Sequence, residues 1–147
     1  NSSLITAIQY AVNNGANIVS MSWGGYENTS MLNFENYFKT VNNVCFVASS
    51  GDKSNLVNYP ASCANVLAIG GTTLTQNSNF TRKSEIPWDN NLGAAGNGYS
   101  KYIKKPNYQQ NISNISKNLF LNSVNFSNAS FVVPVTLVNL SLLNELA

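Results

Sequence analysis

No histidine occurs anywhere in the 147 residues. That excludes a Ser-His-Asp or Cys-His catalytic engine, and any His-ligated metal, within the chain. Charge is scarce too. Only 10% of residues are Asp, Glu, Lys or Arg, against about 25% in an average domain. The net charge of +2 is too small for a protein that grips nucleic acid through its phosphates, and no nucleic-acid partner is expected. Lys101, Lys104 and Lys105, interleaved with Tyr99, Tyr102 and Tyr108, read as a solvated patch. Two cysteines are too few for a disulfide framework. Cys45 and Cys63 sit in or beside apolar runs and read as buried free thiols, a bridge between them being the alternative.

Long apolar runs are missing as well. A long uncharged stretch, 118–144, is broken throughout by Asn and Ser. Its most apolar part, 131–143, contains Pro134 and is shorter than the roughly 20 residues a membrane span needs. No membrane partner is therefore expected. The chain opens on Asn1-Ser2-Ser3, without the basic segment of a signal peptide. Nucleotide motifs are absent: GAAGNG at 93–98 has neither the dinucleotide nor the P-loop spacing. Gly98-Tyr99-Ser100 begins a nucleophile elbow, but Tyr102 stands where glycine is needed.

What is present reads as one domain with a true core, since 44% of residues are hydrophobic. Residues 2–14 have the pattern of an amphipathic helix. Ser2 or Ser3 can cap it, Leu4, Ile8, Ala11 and Val12 share one face, and Gly15 ends it. Ala16–Trp23 reads as a strand closed by Gly24-Gly25. Residues 30–41 predict a second helix with Met31, Phe34, Phe38 and Val41 as its stripe. Val44–Ser49 and Asn65–Gly70 predict two more buried strands. Helices alternating with continuous apolar strands predict an α/β fold with a parallel sheet covered by helices on both faces. Residues 75–110 are rich in loop signals, and 131–138 is a possible strand that Pro134 confines to an edge or bulge. Residues 111–147 hold eight Asn and two charges.

In such a sheet, ligands bind outside the carboxyl ends of the strands. Three such ends are legible: Ser22-Trp23-Gly24-Gly25, Ser49-Ser50-Gly51-Asp52 and Gly70-Gly71-Thr72-Thr73. Asp52 follows an apolar strand that should be central. It is expected at the sheet's rim near Ser22–Gly24, flanked by apolar strands rather than out in solvent.

Taken together, LITAIQYAVNNGANIVSMSWGGYE (4–27), CFVASSGDKSNLVNYPASCANVLAIGGTTL (45–74) and the segment 84–110 with its GNGYS and PNYQ resemble the sedolisin (serine-carboxyl peptidase) family, which has the subtilisin fold. The resemblance implies a subtilisin-like parallel sheet, truncated at both ends. It makes 1–110 the central part of a peptidase domain and 111–147 a divergent, Asn-rich segment. It implies a peptide or protein substrate. Asp52 matches the family's oxyanion-hole aspartate, Ser22-Trp23-Gly24 the segment that pairs with the substrate backbone, and Ser49-Ser50-Gly51 one wall of a substrate pocket. A carboxylate only accepts hydrogen bonds, whereas a carboxylic acid donates one. Asp52 would therefore serve an oxyanion only when protonated, in keeping with work at acid pH.

The family's Glu, Asp and Ser engine matches no position here. Its Ser lies in a G-T-S motif, whereas Gly71-Thr72 is followed by Thr73. The chain alone is therefore expected to be inactive, and a non-catalytic remnant or peptide-binding module is the alternative. The family's calcium site would lie C-terminal to the matched part, so no metal or cofactor is expected in this chain. An extracellular or lysosome-like acidic compartment is expected for the parent. Eight N-x-[ST] sequons occur, at Asn1, Asn28, Asn79, Asn111, Asn114, Asn125, Asn128 and Asn139. The Asn content accounts for a good part of them, which leaves glycosylation an option.

Overall fold

The computed structural model describes residues 2–39, 43–109 and 129–132. Helix α1 spans Ser2–Asn13 and is followed by β1 (Ile18–Met21) and β2 (Gly25–Tyr26). A 3-10 helix over Thr29–Phe34 leads into the single turn α2 (Asn36–Lys39). Then come β3 (Cys45–Ser49), β4 (Asn58–Tyr59), β5 (Leu67–Ile69), β6 (Thr72–Gln76) and β7 (Arg82–Pro87). The last elements are β8 (Asp89–Asn90), β9 (Gly93–Ala94), β10 (Gly98–Lys104) and β11 (Ala129–Val132).

Helix α1 ends as its sequence predicts. Gly15 takes φ 87°, its N–H bonds to the Val12 carbonyl at 3.0 Å, and the Ala16 N–H reaches Ala11 O at 3.1 Å. This is a Schellman motif, which satisfies the helix's last carbonyls. The buried face is carried by Ile5 and Ile8, with Val12 half-buried, while Leu4 is turned outward at 39% exposure.

The parallel sheet has the order β1-β3-β5, so the apolar strand β3 is central as expected. Val19 pairs with Phe46, Met21 with Ala48, and Ala48 with Ala68. Paired residues point to one face. On that face they join Ile5, Ile8 and Phe38 in one buried cluster. Phe38 meets Phe46 edge-on at 5.2 Å and Tyr59 at 6.4 Å. The other face is only partly covered by the described residues. Ile18 is 68% exposed, and Cys45, Val47, Leu67 and Ile69 are half-buried. Helices on both faces were expected, but the described helices pack on one, and β3 accordingly alternates buried with half-buried positions.

The second helix differs from its predicted form. Asn28 caps a 3-10 segment by accepting from the Ser30 N–H at 3.0 Å, and the α-turn begins only at Asn36. Phe38 is buried, Met31 and Phe34 are half-buried, and Val41 lies outside the described residues. Part of the region expected as loop is a hairpin, in which Thr73 pairs with Ile86 and Thr75 with Ser84. Strand β11 pairs antiparallel with β10, and the rest of the strand expected over 131–138, with Pro134, lies outside the described residues. Residues 110–128 and 133–147, which include most of the Asn-rich segment and the boundary at 110, lie outside the described residues. Both cysteines are free, Cys45 half-buried and Cys63 buried. No described helix is long and apolar enough to cross a membrane.

Candidate active site at the sheet's carboxyl rim

Strands β1 and β3 run side by side in the same direction, with Met21 opposite Ala48. Ser22-Trp23-Gly24 and Ser50-Gly51-Asp52 therefore leave the sheet from adjacent strands at one end, Ser49 being the last residue of β3 and still paired with Ile69. Neighbouring strands lie only about 4.8 Å apart. Ser22, Trp23 and Gly24 belong to no strand ladder among the described residues. Ser22 and Gly24 are exposed and Trp23 is half-buried. The segment then turns into β2, whose Gly25 and Tyr26 pair with Tyr59 and Asn58 of β4.

The second half of the rim is built more tightly. Ser50 is 1% exposed and its hydroxyl oxygen has no partner among the described residues. Ser49 and Gly51 are half-buried. Asp52 stands at the rim but is exposed, which corrects the expectation that apolar strands would flank it. Gly51 takes φ 101°, and Asp52 and Lys53 follow in a bend, both exposed. Next to it, the Lys53 ammonium donates to the Tyr26 hydroxyl at 3.4 Å, bridging the two halves of the rim.

Three features escape a reading of the sequence. The first is Asn58, whose side chain fills the space over Gly51 and donates to the Ser50 carbonyl at 3.3 Å. Its position just ahead of Tyr59-Pro60 was the available signal. The second is the segment 93–98, which lies against the rim. The Ala94 N–H donates to Asp52 O at 3.1 Å and the Gly96 N–H to Gly51 O at 2.9 Å. A Cβ on Gly96 would overlap the Ser50 carbonyl, so only glycine allows this approach. Buried Asn97 adds a link by accepting from the Asn55 N–H at 3.3 Å. The third is an anchor behind the rim. The Ser100 hydroxyl donates to Glu27 Oε1 at 2.6 Å, the Lys101 N–H to Glu27 Oε2 at 3.2 Å, and Ser100 Oγ accepts from the Ile103 N–H at 2.8 Å. The carboxylate thus ties β10 to the loop that follows β2.

Beside Trp23-Gly24-Gly25 opens an apolar groove with a cavity of about 90 Å³, walled by Leu4, Ile5, Trp23, Met31, Phe34 and Tyr59. Beneath it, Tyr59 and Cys63 are buried. Loss of water pushes both the Cys63 thiol and the Tyr59 phenol up from their ordinary ranges. Among the described residues no group of three or more His, Cys, Asp or Glu forms a metal-binding cluster.

The sequence profile of the Subtilase family matches residues 1–128. The chain belongs to the subtilase family. Within this peptidase family it is sedolisin-like. It is 37% identical over 79 residues to sedolisin of Pseudomonas sp. (strain 101), a match covering 50% of this chain and 14% of that protein. The solved structure of Pseudomonas sedolisin, a serine-carboxyl proteinase complexed with two molecules of pseudo-iodotyrostatin, matches with a TM-score of 0.64. Its sequence identity is 31%, over 78% of this chain and 39% of that one. A psychrophilic subtilisin-like protease, Apa1 of Pseudoalteromonas sp. AS-11, matches at 35% identity over 46% of this chain and 16% of its own, with a TM-score of 0.41. The subtilase chain thus spans well under half the length of each of these relatives. It shares with the sedolisin structure a mixed α/β architecture around a small parallel sheet.

Proposed function

We propose that this chain carries the substrate-pairing half of a serine-type, serine-carboxyl peptidase domain that cleaves proteins at acid pH. The observation that carries the reading is the rim itself. An unpaired backbone stretch, Ser22-Trp23-Gly24, stands at the carboxyl end of β1, beside the matching end of β3 and an apolar groove. An extended peptide would add to Ser22–Gly24 by main-chain hydrogen bonds and seat an apolar side chain in the groove, the usual division between affinity and specificity in strand addition. Ser49-Ser50-Gly51 would wall a second pocket, with Asn58 over Gly51 as a polar contact within it.

Asp52 would donate a hydrogen bond to the developing oxyanion from its protonated carboxyl. Its exposure at the rim leaves the group free to meet a substrate. The chain alone is expected to bind peptide without turnover, because the Ser, Glu and Asp engine of the family matches no position in it. The intact parent would act outside the cytosol, in an extracellular or lysosome-like acidic compartment, and any calcium would be held elsewhere in the parent.

Tryptophan emission tests the binding step. The chain has two Trp, so a Trp88→Phe variant leaves Trp23 as the sole indole. Titration with an extended apolar hexapeptide at acid pH should shift its emission saturably. An unchanged spectrum at millimolar peptide would refute pairing at Ser22–Gly24. In the active parent, Asp52→Asn supplies an N–H donor at every pH. It should retain activity at acid pH and lose less of it than the native enzyme as pH rises. A parallel loss in both would remove Asp52 from the oxyanion role.

A further inference from the structure

We propose that Asn79 is an attachment site for an N-linked glycan. It begins the sequon Asn79-Phe80-Thr81 at the tip of the hairpin formed by β6 and β7. The turn is closed by the Asn77 N–H bonding to Thr81 O at 2.9 Å and the Phe80 N–H bonding to Asn77 O at 3.0 Å. Every residue from 73 to 84 is exposed, so a bulky polar group there displaces nothing.

The amide is set up for the reaction. Its Oδ1 accepts from the Thr81 N–H at 3.2 Å and from the Thr81 hydroxyl at 2.6 Å. Its Nδ2, the atom to be modified, has no hydrogen-bond partner among the described residues. Asn28, the other sequon whose geometry is described, differs. Its Nδ2 donates to Tyr26 O at 3.4 Å, while its Oδ1 caps the 3-10 helix. A second observation is independent of the sequon. Phe80 stands 83% exposed at the same tip, with Leu74 and Ile86 half in water along the hairpin. A glycan on Asn79 would stand beside the exposed Phe80 ring.

The transfer needs a lipid-linked oligosaccharide pyrophosphate as donor. The Asn79 nitrogen bonds to the sugar's C1 and the C1–O bond to pyrophosphate breaks. The lipid pyrophosphate leaves with that electron pair, and the amide gives up one proton to the transferase's base. No oxidation or reduction occurs. The site is used only if the parent travels outside the cytosol, so the inference rests on that part of the functional reading.

The full chain, expressed behind a secretory leader in a eukaryotic host, tests the site apart from the parent's own address. A control sequon in an appended linker and lectin capture restrict the measurement to molecules that have met the transferase. Enzymatic deglycosylation in heavy-oxygen water should leave labelled aspartate at position 79 in most captured molecules. Asn79→Gln and Thr81→Ala should abolish that label while the control sequon stays occupied. Unlabelled Asn79 in captured molecules would overturn the assignment. Fractionation of the parent tests its compartment separately.

Discussion

Replacing Gly96 by alanine probes how the rim is held. The new methyl group would overlap the Ser50 carbonyl oxygen and sit 2.7 Å from its carbon. Both are backbone atoms of the central strand's exit, so neither moves cheaply. Overpacking of this kind costs about 1–3 kcal/mol. Separating the two segments also gives up the Gly96–Gly51 hydrogen bond of 2.9 Å, worth about 0.5–1.5 kcal/mol. The combined loss is about 2–4 kcal/mol. With a urea dependence of about 2 kcal/mol per molar, the middle of the usual range, the unfolding midpoint should fall by about 1–2 M. Circular dichroism in urea measures it, and amide exchange should speed up at Ala94 and at position 96. Gly15→Ala is the matched control. Nothing lies within 4 Å of its Cβ position, so its cost of about 1–2 kcal/mol comes from the left-handed backbone alone. A Gly96→Ala loss below about 0.5 kcal/mol, the scale of neutral surface changes, would refute the close approach.

Two further outcomes follow from groups behind the rim. Glu27→Ala leaves the buried Ser100 hydroxyl without its acceptor and should cost about 1–3 kcal/mol; Glu27→Gln, which keeps an acceptor oxygen, should lose less, and equal losses in urea denaturation would sink the anchor. The Cys63 and Tyr59 shifts set an alkaline limit. The folded thiol and phenol hold their protons more tightly than the unfolded ones. Their contribution is therefore complete below the unfolded thiol's value of about 8.5 and declines as pH rises above it, by up to about 1.4 kcal/mol per pH unit for each group. Urea midpoints should fall from about pH 8.5 upward, and Cys63→Ala should remove the first part of that decline. A midpoint independent of pH up to 11 would contradict it.

The parts of the fold that can be read from sequence are those where a buried face imposes a period. Ile5, Ile8 and Gly15 announce α1, and the apolar run 44–48 places β3 at the sheet's centre. The order of the three parallel strands and the gathering of Ser22–Gly24 with Ser49–Asp52 at one end follow from that. The hairpin β6–β7 is not legible because both its faces are exposed. Main-chain bonds hold it, and no alternation of apolar side chains marks it. The same limit hides the rim's support. Gly96 against Ser50, Asn58 on the Ser50 carbonyl, and Glu27 on Ser100 are contacts between residues 8 to 73 positions apart, which local patterns do not encode. That the described helices cover one face of the sheet only is hidden for a related reason. A short apolar run looks the same whether its second face is buried or half-exposed.

The most direct test of the rim as a substrate-pairing site is a map of backbone amide shifts on adding an extended apolar hexapeptide to the full chain at acid pH. Strand addition at the rim predicts saturable changes at Ser22, Trp23 and Gly24, with weaker ones at Ser49–Asp52 and around Leu4 and Met31. Changes confined to the β6–β7 hairpin, or none at saturating peptide, would contradict it.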